Sequence, residues 1–278
     1  MLLLGLAASV LVFTILWAVS LRLQNSSIAD VAWAPNILLI GLIYYFTSDG
    51  ALLRTQLTLA LVALWAVRLG LHLFYRQRLE GEDRRYVKWR DEYEDNWWWI
   101  SYFRVFLLQS VTAWVVSLPI YFAIVSVGPA SLTLLDYIGV TVFVIGLVFE
   151  SVSDEQLRRF RAVRGNKGRV LETGLWSYTR HPNYFGEVLV WWGFGVIGVA
   201  TGGVPGLLGP VVLTYLLIYV SGIAMIEPSL FTKPGYSSYA GKTPVFLPLP
   251  APMRAKLIAT AKKALPQSAP PPKPKRRW

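Results

Sequence analysis

Seven long apolar runs leave this chain few ways to fold. They extend from Met1 to Leu21, Val31 to Thr47, Leu52 to Tyr75, Val105 to Val127, Leu132 to Phe149, Val188 to Thr201 and Leu207 to Ile226. A hydrocarbon layer about 30 Å thick takes roughly 20 helical residues to cross, and only helices or closed barrels satisfy their backbone polar groups there. Unbroken apolar runs of this length, rather than alternating ones, select helices. The chain is 54% hydrophobic and 15% charged, where a soluble domain is about 25% charged. The expectation is an all-α polytopic membrane protein with about seven transmembrane helices. The first run has no basic segment before it and no small-residue cleavage site after it, so it reads as a retained helix rather than a signal peptide. Pro35-Asn36 is expected to break the second run early, Pro119 lies inside the fourth, and Gly202 to Gly206 makes a tight turn between the last two.

The charges set an orientation. Lys and Arg number 27 against 16 Asp and Glu, for a net charge of +11. Six basic residues lie between Arg76 and Ser101, seven between Ser151 and Arg180, and ten after Glu227, whereas the loops near Asp49, Pro129 and Gly203 hold almost none. With seven spans the three basic segments share one face, which the positive-inside rule places in the cytoplasm with the C-terminus, leaving the N-terminus outside. Basic charge so placed suits anionic lipid rather than nucleic acid. Two divisions follow: a membrane domain over 1–250, and a basic tail over 251–278, rich in proline and expected to be disordered. Trp97-Trp98-Trp99 reads as an interfacial belt. The absence of cysteine excludes disulfides and thiol chemistry, and His72 and His181 alone are too few for a histidine-built metal site.

Polar density concentrates between Tyr178 and Glu187, at the entrance to an apolar run, where ionisable groups are functional candidates. Pro182 suits the first turn of a helix. Asn183 and Glu187 then share a face, and Arg180 lies one turn earlier, so an amide, a carboxylate and a guanidinium meet at a helix N-terminus that favours anions. Helix capping with interfacial anchoring is the plainer alternative. Asp154, Arg158 and Arg161 fall at i, i+4 and i+7 on one face, either a surface ion-pair ladder or part of a site. Glu150 extends that face inward to the end of an apolar run, where an arginine, a ligand or a proton has to compensate it. Arg161, Arg164, Lys167 and Arg169 surround Gly165 and Gly168 in a loop able to hold phosphates or simply to carry inside charge. Glu227 closes the last helix, where the helix dipole disfavours a carboxylate, so it calls for a specific partner. The run from Pro234 through Lys242 to Pro248 is expected to fold over the cytoplasmic mouth. Asp30 opens the second helix with Trp33 one turn on; it is an N-cap or interfacial acid, or an acid that polarises a substrate carbonyl.

Leu175-Trp176-Ser177-Tyr178-Thr179-Arg180-His181-Pro182-Asn183-Tyr184-Phe185-Gly186-Glu187 resembles the C-terminal signature of the steroid 5α-reductase-like membrane family. The nearest resemblance is to its bacterial branch, catalogued as a domain of unknown function. Ser27 to Trp33, Gly81 to Tyr86 and Ser221 to Glu227 also resemble that branch, so the likeness runs from about Ser27 to Pro250. The wider superfamily takes in sterol reductases and isoprenylcysteine carboxyl methyltransferases. The resemblance implies a seven-helix fold that holds NADPH on its cytoplasmic side. It implies cofactor contacts for Asp154, Arg161, Tyr178, Asn183 and Glu187, and a phosphate-side role for Arg169. Two positions depart from the steroid enzymes: Glu150 stands where they have an Asn, and Glu227 lies near a family His. Asp30 is the nearest counterpart, by position, of their substrate-polarising Glu.

The combined expectation is a bacterial inner-membrane, NADPH-dependent reductase of a lipophilic enone or related alkene. Asp30 or a neighbouring hydroxyl holds the developing enolate oxygen, and Trp33 lines the substrate site. Arg161 and Arg169 grip phosphates, Asn183 and Glu187 orient the amide end or ribose, and Asp154, Tyr178, Arg180 and Glu227 complete the cofactor site. The main rival is a methyltransferase using S-adenosylmethionine, which Glu227 favours because a carboxylate suits a cationic cofactor. A third reading is a lipid-binding membrane protein without enzymatic activity.

Overall fold

The computed structural model describes residues 1–49, 52–125, 128–250 and 252–253. Those residues form helices and no strand. The order is α1 (Leu2–Leu23), α2 (Ile28–Thr47), α3 (Leu52–Glu80), α4 (Arg84–Tyr93), α5 (Trp97–Ser101), α6 (Leu108–Val116), α7 (Leu118–Val125), α8 (Leu134–Ala162), α9 (Pro182–Val199), α10 (Leu208–Tyr215), α11 (Ile223–Leu230) and α12 (Tyr236–Ala240). π-helical turns at Tyr102–Leu107 and Leu216–Val220 lead into α6 and out of α10. Nearly all of the tail, and the end of the fourth apolar run, lie outside the described residues.

Six stretches are long and apolar enough to cross a membrane: Leu2–Leu23, Ile28–Thr47, Leu53–Glu80, Arg84–Val116, Leu134–Ala162 and Val204–Leu230. The chain is an integral membrane protein by that measure. The helix at Pro182–Val199 is not among them. It is 18 residues long, carries Asn183 and Glu187, and is buried among the other helices.

The prolines behave differently from the expected breaks. α2 runs unbroken through Pro35. The ring packs beside Gly70, where a side chain would meet Pro35 Cγ at 3.4 Å, and a membrane helix tolerates proline when its neighbours accommodate it. The fourth run divides at Ser117, so that Pro119 falls in the first turn of α7, where its missing N–H costs nothing. The seventh run breaks at Ser221-Gly222, where a Cβ on Gly222 would run into the Leu217 carbonyl.

Two helix pairs fix the frame. α3 and α8 run parallel, tied at three levels. Arg54 reaches across 82 positions to Asp136 at 2.8 Å, Arg68 reaches across 82 positions to Glu150, and Arg161 reaches back 81 positions to Glu80 at 2.8 Å. The near-constant offset is the register of two parallel helices with equal rise. Arg54 is fully buried, and its guanidinium also donates to the Pro129 and Ser131 carbonyls. α8 and α9 run antiparallel in close contact, with Gly146 of α8 against Gly186 of α9 and Gly139 against Gly193. A Cβ on Gly146 would sit 2.6 Å from both Gly186 O and Val190 N, so the helices approach closely because glycine occupies those positions. Trp65, Trp191, Phe143 and Phe194, all buried, fill the space among α3, α8 and α9.

Candidate functional site

The middle tie between α3 and α8 is the heart of the polar interior. Arg68 projects from α3 between two acids of α8, donating to Glu150 and, at 2.5 Å, to Asp154. The counter-charge that Glu150 required is therefore an arginine from another helix. Asn183, in the first turn of α9, donates to Asp154 at 3.1 Å. One turn on, Glu187 accepts the indole N–H groups of Trp65 at 2.9 Å and Trp191 at 3.0 Å. Asn183 and Glu187 do share a face, and that face looks onto α3 and α8. Glu150, Asp154 and Glu187 are only 3%, 7% and 7% exposed.

A second cluster gathers beside it. Asp30 lies in the first turn of α2, but the N-cap is Ser27. The Asp30 carboxyl accepts from the Tyr86 hydroxyl at 2.6 Å, Gln109 Nε2 at 2.8 Å and Arg85 at 3.2 Å. The turn that carries Tyr86 is pinned to the start of α2: Asp83 N–H donates to Ser27 Oγ at 2.7 Å, and Ser26 N–H to Glu82 at 2.6 Å. Hydrogen bonds thus bring together the segments Ser27 to Trp33 and Gly81 to Tyr86, which are separated in sequence. Trp33 links the two clusters, its ring 6.0 Å from Trp65 and 6.4 Å from Trp191 in edge-to-face contact. Tyr184 of α9 lies within electrostatic reach of Asp154 and also of Asp83 and Arg85.

Other residues singled out in the sequence go elsewhere. Arg180 does not join Asn183 and Glu187; its guanidinium lies 3.2 Å from Glu227. Glu227 also bonds His181 Nε2 at 2.7 Å and the Tyr236 hydroxyl at 2.8 Å, which supplies its partner. Burial holds the His181 imidazole below its ordinary pKa despite the opposing pull of Glu227. Arg158 leaves the expected face to pair with Glu155 at 2.6 Å, whereas Arg161 stays on it and bonds Glu80. Arg169 is exposed on the loop after α8. Tyr178 is also exposed, and its backbone carbonyl accepts from Leu249 N–H at 3.1 Å. The segment after α12 does fold back: Arg180 N–H donates to Pro244 O at 2.9 Å and the Thr179 hydroxyl to Phe246 O at 2.7 Å.

Around this end of the bundle stands a rim of cations. Lys233 is held below its usual pKa by burial and by the nearby Arg161 and Arg84. Arg76 lies close enough to influence both His72 and Tyr184. Among the described residues, only Arg161 of these four has an acid within ion-pair distance.

The profile of the family described as protein of unknown function (DUF1295) matches residues 16–243. The chain belongs to the DUF1295 family. The matched span of this DUF1295 protein takes in both clusters, from Asp30 to Glu227. It is also similar to the uncharacterized protein C594.04c of Schizosaccharomyces pombe, with 26% identity over 220 residues, which cover 70% of this chain and 63% of the relative. The chain therefore spans less than two thirds of that relative's length. No solved structure matches it.

Sequence reasoning passed over Arg68 as the counter-charge, and it missed Tyr86 and Gln109 as the partners of Asp30 and the indoles of Trp65 and Trp191 as the donors to Glu187. One signal was available for Arg68: it lies fourteen positions after Arg54, and Glu150 lies fourteen positions after Asp136. Two parallel helices carrying that same spacing pair at both levels.

Proposed function

We propose that the protein is an NADPH-dependent reductase of a lipophilic enone, with α9 as a seventh membrane crossing and its basic end and C-terminus in the cytoplasm of a bacterium. The observation that carries this reading is the meeting of two unlike surfaces at one end of the bundle. A hydrogen-bonding floor of Arg68, Glu150, Asp154, Asn183 and Glu187 lies beside a rim of Arg76, Arg84, Arg161 and Lys233. A nicotinamide dinucleotide phosphate has two matching halves. Its hydroxyl and amide groups suit carboxylates and an amide, and its phosphates suit guanidinium and ammonium groups. The residues fit the group: among the described residues, Arg76, Arg84 and Lys233 of the rim have no acid within ion-pair distance, and Glu150 Oε2 is a buried acceptor with no donor. Bound there, NADPH supplies the reducing equivalent.

The chain's own residues do the rest. Arg84, Arg161 and Lys233 hold phosphate, and Asp154, Asn183 and Glu187 orient the polar groups nearest the membrane. Trp33, Trp65 and Trp191 exclude water. Asp30 already accepts from three donors, so the proton donor to a substrate carbonyl is the Tyr86 hydroxyl, whose single proton lies on Asp30 and would turn from it to the substrate while Gln109 holds the phenol oxygen. This shifts the role first given to Asp30 by one hydrogen bond: the acid positions and the phenol donates. The methyl-donor reading keeps one support, the excess of carboxylates on the floor, which suits a sulfonium. Glu227 lends it none, being taken by Arg180, His181 and Tyr236.

Thermal unfolding of the purified protein with added ligand tests the proposal. NADPH at a hundred times its Kd stabilises by about 2.7 kcal/mol, NADH by less, and S-adenosylmethionine not at all. A shift with the methyl donor and none with NADPH overturns the reductase reading, and no shift with any of them supports the lipid-binding one. Tyr86→Phe is expected to lower turnover of a panel of lipophilic enones by about 10²-fold or more while leaving NADPH affinity in place. Unchanged turnover would remove Tyr86 from the chemistry.

A further inference from the structure

We infer that the buried floor of the site is built to hold a positive charge, so that a nucleotide cofactor in its cationic form binds there in preference to its neutral counterpart. The inference rests on the reading above in taking the ligand to be a nucleotide cofactor. It starts from a charge imbalance. Among the described residues, three buried carboxyls, Glu150, Asp154 and Glu187, face a single guanidinium, that of Arg68. The remaining donors on the floor, Asn183 and the indoles of Trp65 and Trp191, are neutral. His72 approaches Asp154 only to 3.6 Å from a half-buried position.

A second observation points to a ligand. Glu150 is 3% exposed, and while one of its oxygens receives Arg68, the other, Oε2, has no hydrogen-bond partner. The neighbouring acid is Glu187, whose two oxygens are already committed to indole N–H groups. Two carboxyls in side-chain contact with no donor from the rest of the protein between them, away from water, are unfavourable until a shared proton or a positive charge arrives. No set of these acids among the described residues is arranged to hold a metal ion, so a ligand that brings the charge here is an organic cation, which takes the place of a proton shared by the two carboxyls. Two nucleotide cofactors carry one close to a ribose: the pyridinium ring of oxidised nicotinamide and the sulfonium of S-adenosylmethionine. Each has a counterpart of nearly the same shape without that charge, in NADPH and S-adenosylhomocysteine.

Titration calorimetry of the purified protein with these four compounds tests the inference. The oxidised dinucleotide, NADP⁺, is expected to bind on the order of tenfold more tightly than NADPH. In Glu150→Gln, which keeps the shape of the side chain and removes its charge, the ratio falls toward one. NADPH binding as tightly as NADP⁺ to the wild-type protein overturns the inference and leaves the reductase reading standing; a ratio unchanged in Glu150→Gln also overturns it. A preference for S-adenosylmethionine over its homocysteine product, with neither nicotinamide form binding, keeps the cation site and removes the reductase reading. Binding of none of the four overturns both. If Glu150→Gln does not fold, the wild-type ratio still decides, and Asp154→Asn provides the second variant.

Discussion

Arg68→Ala is expected to destabilise the protein by about 3–5 kcal/mol, the range for breaking a buried ion pair from one side, and to abolish cofactor binding. Among the described residues, Arg68 is the only arginine within ion-pair distance of Glu150 and Asp154. Removing it leaves Glu150 and Asp154 facing each other and Glu187 in a place water reaches poorly. The loss also unties the middle level of the α3–α8 ladder, while Arg54–Asp136 and Arg161–Glu80 hold the two ends. Adding Glu150→Gln to Arg68→Ala should restore part of the stability, because much of the cost is the stranded charge rather than the lost bond. Thermal unfolding in detergent measures both effects. A single variant as stable as wild type, or a double variant less stable than the single one, would show that the ladder does not hold these helices.

Gly146→Val is expected to cost about 3 kcal/mol, the upper part of the overpacking range, and to cut NADPH binding with it. The new Cβ would meet backbone atoms of α9 at 2.6 Å, and Leu189 Cβ at 2.8 Å, so no flexible side chain can yield. The two helices would have to separate. Gly186, opposite, has a Cβ position 2.5 Å from Glu150 N, so the closest contact lies on the backbone of one of the acids of the site. Separation there draws Asn183 away from Asp154. Gly41→Ala is the control: its Cβ would make ordinary contacts of 3.6 Å and more, and it should be close to neutral. Similar behaviour of the two variants would argue that the close approach of α8 and α9 does not determine the site.

The helical membrane architecture was legible because an apolar run long enough to cross a bilayer has few other uses. Helix ends were harder to place. α3 and α8 continue into charged sequence as far as Glu80 and Ala162, where composition marks the membrane boundary but nothing ends the helix. Spacing within a helix was a sound guide for Asn183 with Glu187, and for Asp154 with Arg161. It failed for Arg158, which took the nearer Glu155, and for Arg180, which lies outside any helix so that periodicity does not set its direction. Contacts between helices were the least legible. Asp30 and Tyr86 meet because the turn at 81–83 is tied to Ser26 and Ser27, and no local pattern announces such a tie.

The most direct test of the central claim, that α3, α8 and α9 together form a cofactor site, is a fluorescence titration of the purified protein with NADPH. Trp33, Trp65 and Trp191 stand at the proposed site, so bound reduced nicotinamide should accept energy from tryptophan. The account predicts a saturable signal in the wild-type protein that is lost in Asn183→Ala. A wild-type protein that gives no saturable signal, or an Asn183→Ala variant that binds as tightly as wild type, would contradict it.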